Sequence, residues 1–203
     1  MVAEPRSWFA HVYAPLYRDL GVRAERAHVN GFHLGQMARW RAFVDAARDA
    51  GLQTVAPIYS PNDGRLGDGR FADAHWQNVR DAAWYGGGLT IDAPPAFFIQ
   101  QGPVYRAFAL DEIRWANRTG LHSTVIVSPH TSGASFNHDT ARFLAYFERN
   151  ACWPAEWVVE NYEPHPKADY PNPIGREDAA NTVLGVAHYL MARVPASPGR
   201  APC

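Results

Sequence analysis

Three ionisable residues follow apolar, strand-like runs: Asp92 after Leu89-Thr90-Ile91, His130 after the β-branched run 122–128, and Glu160 after Trp157-Val158-Val159. Alternate residues of a strand face opposite sides. The phase holding each ionisable group also holds Thr90 in the first run, Thr124, Ile126 and Ser128 in the second, and Val158 in the third. The opposite phases carry Leu89 and Ile91, Val125 and Val127, Trp157 and Val159, all suited to packing beneath helices. Asp92, His130 and Glu160 are therefore expected at one rim. Two carboxylates across a cleft are what glycosidic bond hydrolysis requires: one protonates the leaving oxygen, the other serves as base or nucleophile. Glu160, preceded by three apolar residues, suits the general acid, since desolvation raises a carboxyl pKa. Asp92 is the expected nucleophile or base.

Flat apolar side chains and amides near the same rim fit a sugar. Tyr59, Asn62, Trp84, His130, Asn161, Tyr162 and Tyr170 are the expected substrate-binding residues. Trp40, Trp76 and Trp115 fall on helical stripes and are expected in the core. Asp111 and Glu112, inside a helical stretch, are expected to face solvent. Two other chemistries compete. Asp92, His130 and Glu160, with His138 nearby, form an O/N/O set of the kind used by metal-dependent isomerases and deacetylases on barrels, but no H-E-x-x-H or paired cysteines accompany them. No metal or other cofactor is assigned. Serines 60, 128 and 132 lie near strand ends without a Gly-x-Ser-x-Gly elbow. A non-catalytic carbohydrate-binding or assembly subunit would use the same aromatic rim.

The elements that must position these residues alternate between short β-like runs and helical stretches, the pattern of parallel strands joined by crossover helices. Strands are predicted over 8–14, 52–59, 89–92, 122–128 and 156–161. Helices are predicted over 35–50, from Asp73 to about Tyr85, from Pro103 to Gly120, from Asn137, and over 177–192. Gly51 and Gly120 supply C-terminal stops. Gly86-Gly87-Gly88 precedes its strand, so it stops a helix and does not cradle a phosphate. Five such units predict an α/β fold with barrel-like strand order, in preference to a doubly wound sheet. A full eight-unit barrel takes about 250 residues, so 203 residues predict a reduced or incomplete one. Residues 1–194 form one domain, and residues 195–203 read as a disordered tail.

The architecture over residues 8–192 and the strand ending Trp157-Val158-Val159-Glu160-Asn161-Tyr162 resemble the (β/α)-barrel glycoside hydrolases. In those enzymes an Asn often precedes the catalytic Glu, whereas here Asn161 follows Glu160. The resemblance implies a hydrolase acting on a polysaccharide or oligosaccharide at the carboxyl ends of the strands.

Composition narrows the partners. A formal net charge of -1 gives no cationic surface for nucleic acid, and the apolar runs fall short of a membrane span. Exposed edges of an incomplete barrel predict a second copy or another partner to cover them. Cys152 and Cys203 are too few for a disulfide framework and lack zinc spacing. The compartment stays open: secreted or periplasmic if a signal peptide has been removed, cytoplasmic otherwise.

Overall fold

Among the described residues, five parallel strands alternate with four helices: β1 (Arg26–Val29), α1 (Met37–Asp49), β2 (Thr54–Tyr59), α2 (Asp73–Gly86), β3 (Gly88–Asp92), α3 (Gly102–Arg118), β4 (His122–Val127), α4 (Phe136–Arg149) and β5 (Glu156–Val159). The computed structural model describes residues 26–29, 37–59, 73–92, 102–127, 136–159, 187–188, 190–194 and 203. Four of the five strands lie where the alternation places them. The first does not: β1 falls in a stretch without strand patterning, because its four residues, Arg-Ala-His-Val, carry two polar groups on one face. The run 8–14 lies outside the described residues. Residues 187, 188, 190 and 191 are helical, inside the last predicted helix.

The strand order is β1-β2-β3-β4-β5, with every pair parallel. A doubly wound sheet reverses its order at a switch point; this one never does. The helices pack on one face, where Leu89, Ile91, Val125 and Val127 meet Trp76 and Val79 of α2, Tyr105, Leu110 and Ile113 of α3, and Phe143 and Phe147 of α4. A second patch joins Trp40 and Val44 of α1 to Val55 and Ala82. Trp40 and Trp76 are buried and Trp115 packs against the core, as their stripes predict.

The other face turns inward. Arg26 of β1 and Glu156 of β5, on opposite edges of the sheet, stand 3.3 Å apart. Across a flat sheet four strand spacings would separate them by about 19 Å, more than the two side chains span. The sheet is therefore curled into a half-barrel.

Helix ends set the strand starts. After α1, Leu52 N–H bonds Ala47 C=O and Gly51 N–H bonds Arg48 C=O, with Gly51 at φ 88°. The end of α3 repeats this pair of bonds at Leu121 and Gly120, a Schellman motif in both cases. In α4 the same position is filled by Ala151, at φ 47°. Gly86 answers a different need: a Cβ there would lie 1.8 Å from Val55 O, because the end of α2 presses on β2. Gly86→Ala is expected to cost about 3 kcal/mol, checked by denaturant unfolding.

Two expectations need correction. Asp111 is exposed, but Glu112 is 1% exposed and is gripped by both Arg80 Nε (3.2 Å) and Arg80 Nη2, which ties α2 to α3. Helical spacing alone does not show that α2 brings an arginine to that face. Cys203, placed by sequence in a disordered tail, forms a disulfide with Cys152 and packs against the core. Asn117 lies at this junction. Its Nδ2 donates to Trp153 O (3.0 Å), and its Oδ1 accepts from Ser123 Oγ (2.6 Å). Cys203→Ser is expected to lower stability by roughly 2–4 kcal/mol, and reductant should bring the parent to the same unfolding midpoint.

Candidate functional site

The inward phase of each strand follows from the register. Thr90, Thr124 and Glu156 share one row, and Asp92, Ile126 and Val158 the next. His28, Ala56, Gly88 and His122 lie in the row nearer the strand starts, as Ile58 pairs with Thr90 one step on. The inward phase read from sequence for β3, β4 and β5 is thus the phase turned away from the helices.

The densest polar group on this face surrounds Glu156. Its Oε1 accepts from Arg26 Nη1 (3.3 Å). Its Oε2 accepts from Thr124 Oγ1 (3.1 Å) and faces His122 Nε2 at 3.1 Å and His28 Nε2 at 3.5 Å. An ionised carboxylate only accepts, so His122 Nε2 donates to it. His28 Nδ1 and Thr90 Oγ1 are 2.7 Å apart. Burial pushes the Glu156 carboxyl upward, but His122, the Thr124 hydroxyl and Arg26 together outweigh it and hold the group below its ordinary range. Burial dominates at His28 and lowers its pKa, with His122 and Arg26 adding to the effect and Glu156 opposing it. His28 is therefore neutral at pH 7. With a proton on Nε2 toward the carboxylate, its Nδ1 accepts from the Thr90 hydroxyl.

Sequence reasoning placed no functional residue here. The signal was present: His122 and Glu156 begin their strands in the same phase as Thr124 and Val158. Arg26 and His28 alternate in the unpredicted first strand. Among the described residues no group of three or more His, Cys, Asp or Glu could hold a metal ion.

At the other end of the strands, Asp92 closes β3 on the inward phase and is half-buried. Tyr105, in the first turn of α3, lies close enough for its ionisation to be opposed, after burial itself, by Tyr59 and Asp92; its phenol stays neutral. Tyr59 stands on the outward phase of β2 and is 2% exposed. Its ring centroid lies 4.7 Å from that of Trp76 and 6.0 Å from that of Phe108. It fills the core beneath α2 and α3 and offers no face to a sugar, which corrects its expected binding role. Trp84 is 62% exposed, two residues before α2 ends, and α2 leads directly into the start of β3. It therefore sits at the strand-start end, and the fold does not bring it together with Asp92. Asn62, His130, Glu160, Asn161, Tyr162 and Tyr170 lie outside the described residues.

The Glu156 group makes stability depend on pH. His28 and Glu156 both bind protons less readily folded than unfolded, so stability falls with falling pH. The first loss begins at the ordinary histidine value of 6.5, and the second begins at the ordinary carboxylate value of 4.5. Glu112, raised by burial against the opposing pull of Arg80, acts in the opposite sense. Comparing parent with Glu156→Gln cancels its contribution. The variant is expected to be less stable at pH 7, and the gap in unfolding free energy should close as pH drops below 4.5. No protein-family model, no curated protein and no solved structure matches this chain, whose chemistry rests on its own residues.

Proposed function

We propose that this chain hydrolyses glycosidic bonds at the carboxyl-end rim of its curled sheet. The observation that carries this is Asp92: a half-buried carboxylate on the inward phase at the end of β3, in register with Ile126 and Val158. Ligands of parallel α/β folds bind at this end of the strands. Two residues past Val158 in the sequence stands Glu160, the second carboxylate that the chemistry needs.

In this mechanism Glu160 donates a proton to the leaving glycosidic oxygen. Asp92 either attacks the anomeric carbon or removes a proton from the water that does. Attack by Asp92 gives a glycosyl ester, which water then cleaves with Glu160 as base. Activation of water gives inversion in one step. The Tyr105 phenol, held neutral first by burial, lies close to Asp92. His130, Asn62, Asn161, Tyr162 and Tyr170 supply hydrogen bonds and ring faces to the sugar.

Release of reducing ends from a panel of polysaccharides tests the proposal. Glu160→Gln and Asp92→Asn are each expected to reduce turnover by about 10²–10⁴-fold, with EDTA having no effect. Activity lost to EDTA and retained in both variants would turn the chemistry to a metal site. Glycan binding without turnover, equal in parent and variants, would make the chain a binding module.

A further inference from the structure

Glu156 takes no part in the bond cleavage proposed above, yet the network around it links four of the five strands. It belongs to β5. Arg26 and His28 bring in β1, His122 and Thr124 bring in β4, and Thr90 of β3 is joined through the His28 ring. Hydrogen-bonded ladders fix each strand against its neighbour. They leave the curvature accumulated across several strands open, since sheet twist varies by tens of degrees between pairs. A link from β5 back to β1 and β3 closes that freedom.

We infer that Glu156 is a positioning residue: by holding the edges of the curled sheet together at the strand starts, it sets the separation between the end of β3, which Asp92 closes, and the end of β5, which Glu160 follows in the sequence. This rests on the reading of the rim as a hydrolytic site. Asp92 stands two residues beyond Thr90 on the same face, about 6.6 Å further along the strand. Curvature released at the seam reaches it through one short, extended segment. The separation has chemical consequences. Carboxyl groups ~5 Å apart suit a covalent intermediate, and groups ~6.5–9.5 Å apart leave room for a water. A nearer ionised partner also raises the pKa of the general acid.

The test uses the full chain with Glu156→Gln, and with Arg26→Gln as a second variant that keeps Glu156 and its other partners. Spin labels go at Ala38→Cys in the first turn of α1 and Ala141→Cys in α4, both exposed positions. In Glu156→Gln the distance distribution between labels is expected to lengthen and broaden, and in Arg26→Gln to do so less. Where the parent turns over a glycan, kcat should fall about 10²-fold. The alkaline limb of the kcat/KM profile should also move to lower pH, because carboxylates that have separated couple less. A purely stabilising role would lower the unfolding midpoint and leave both the distances and the pH limb in place, and that result overturns the inference. Should Glu156→Gln fail to fold, unchanged distances in Arg26→Gln would overturn it equally. If the parent turns over no glycan, the hydrolytic reading falls, and the label distances alone still decide whether Glu156 holds the seam.

Discussion

One carboxylate bridges the two edges of the curled sheet. Helices α1 to α4 pack on one side of a parallel sheet whose strands follow one another in order, and the other side of that sheet curls upon itself. Glu156 meets Arg26 across that curl, and the two imidazoles and the Thr124 hydroxyl share its remaining capacity. Burying a charge is costly unless it is paired and hydrogen-bonded. The pairing here draws on β1 and β4, so the charge is accommodated only when the sheet is bent. An apolar residue at 156 could fill the same space, but it would not discriminate between bent and flat sheets as a directional set of donors does.

The two faces of the sheet follow different physics. On the helix side, apolar burial and aromatic packing dominate: Phe143, Phe147, Trp153 and Trp157 form one cluster with ring centroids 5.0–6.4 Å apart. Close packing there leaves little tolerance, as the contact between Gly86 and β2 illustrates. On the inward side polar groups set the geometry, and the charged ones keep some access to solvent. The outer layer has its own directional link, the Arg80 grip on Glu112 between α2 and α3, reinforced by the Arg80 guanidinium 5.2 Å from the Trp115 ring centroid. The disulfide Cys152–Cys203 and the Asn117 hydrogen bonds anchor the segment that delivers the chain into β5. The position of Glu156 therefore depends on a staple outside the sheet as well as on its partners within it.

Much of the fold was legible in the residues themselves. Gly51 and Gly120 end their helices because only a residue free to take positive φ closes a Schellman motif cheaply. In the run Gly86-Gly87-Gly88, which marks the passage from α2 into β3, Gly87 takes positive φ, while Gly86 and Gly88 leave room for the close approach of β2 and β4. The alternation Leu89-Thr90-Ile91-Asp92 gave the correct phase, since a strand buried under helices on one side must place its apolar residues on that side. Tyr59 and Trp84 show where this logic stops. Both look like ring faces near a strand end, yet one lies on the outward phase beneath two helices and the other at the far end of α2. Neither placement follows from proximity along the chain.

By itself the sequence determined the periodicities beyond β1: which of the later stretches are strands or helices, which face of each is apolar, and where their turns must fall. These depend on neighbours within a few residues. Only the tertiary structure decided which polar residues meet. Arg26 and Glu156 are separated by 130 positions, and β1 carries too few residues and too much polarity to announce itself as a strand. Curvature of a parallel sheet is a property of all its strands together. The partners it brings across the seam are set by register and curl, and neither is written in any one segment.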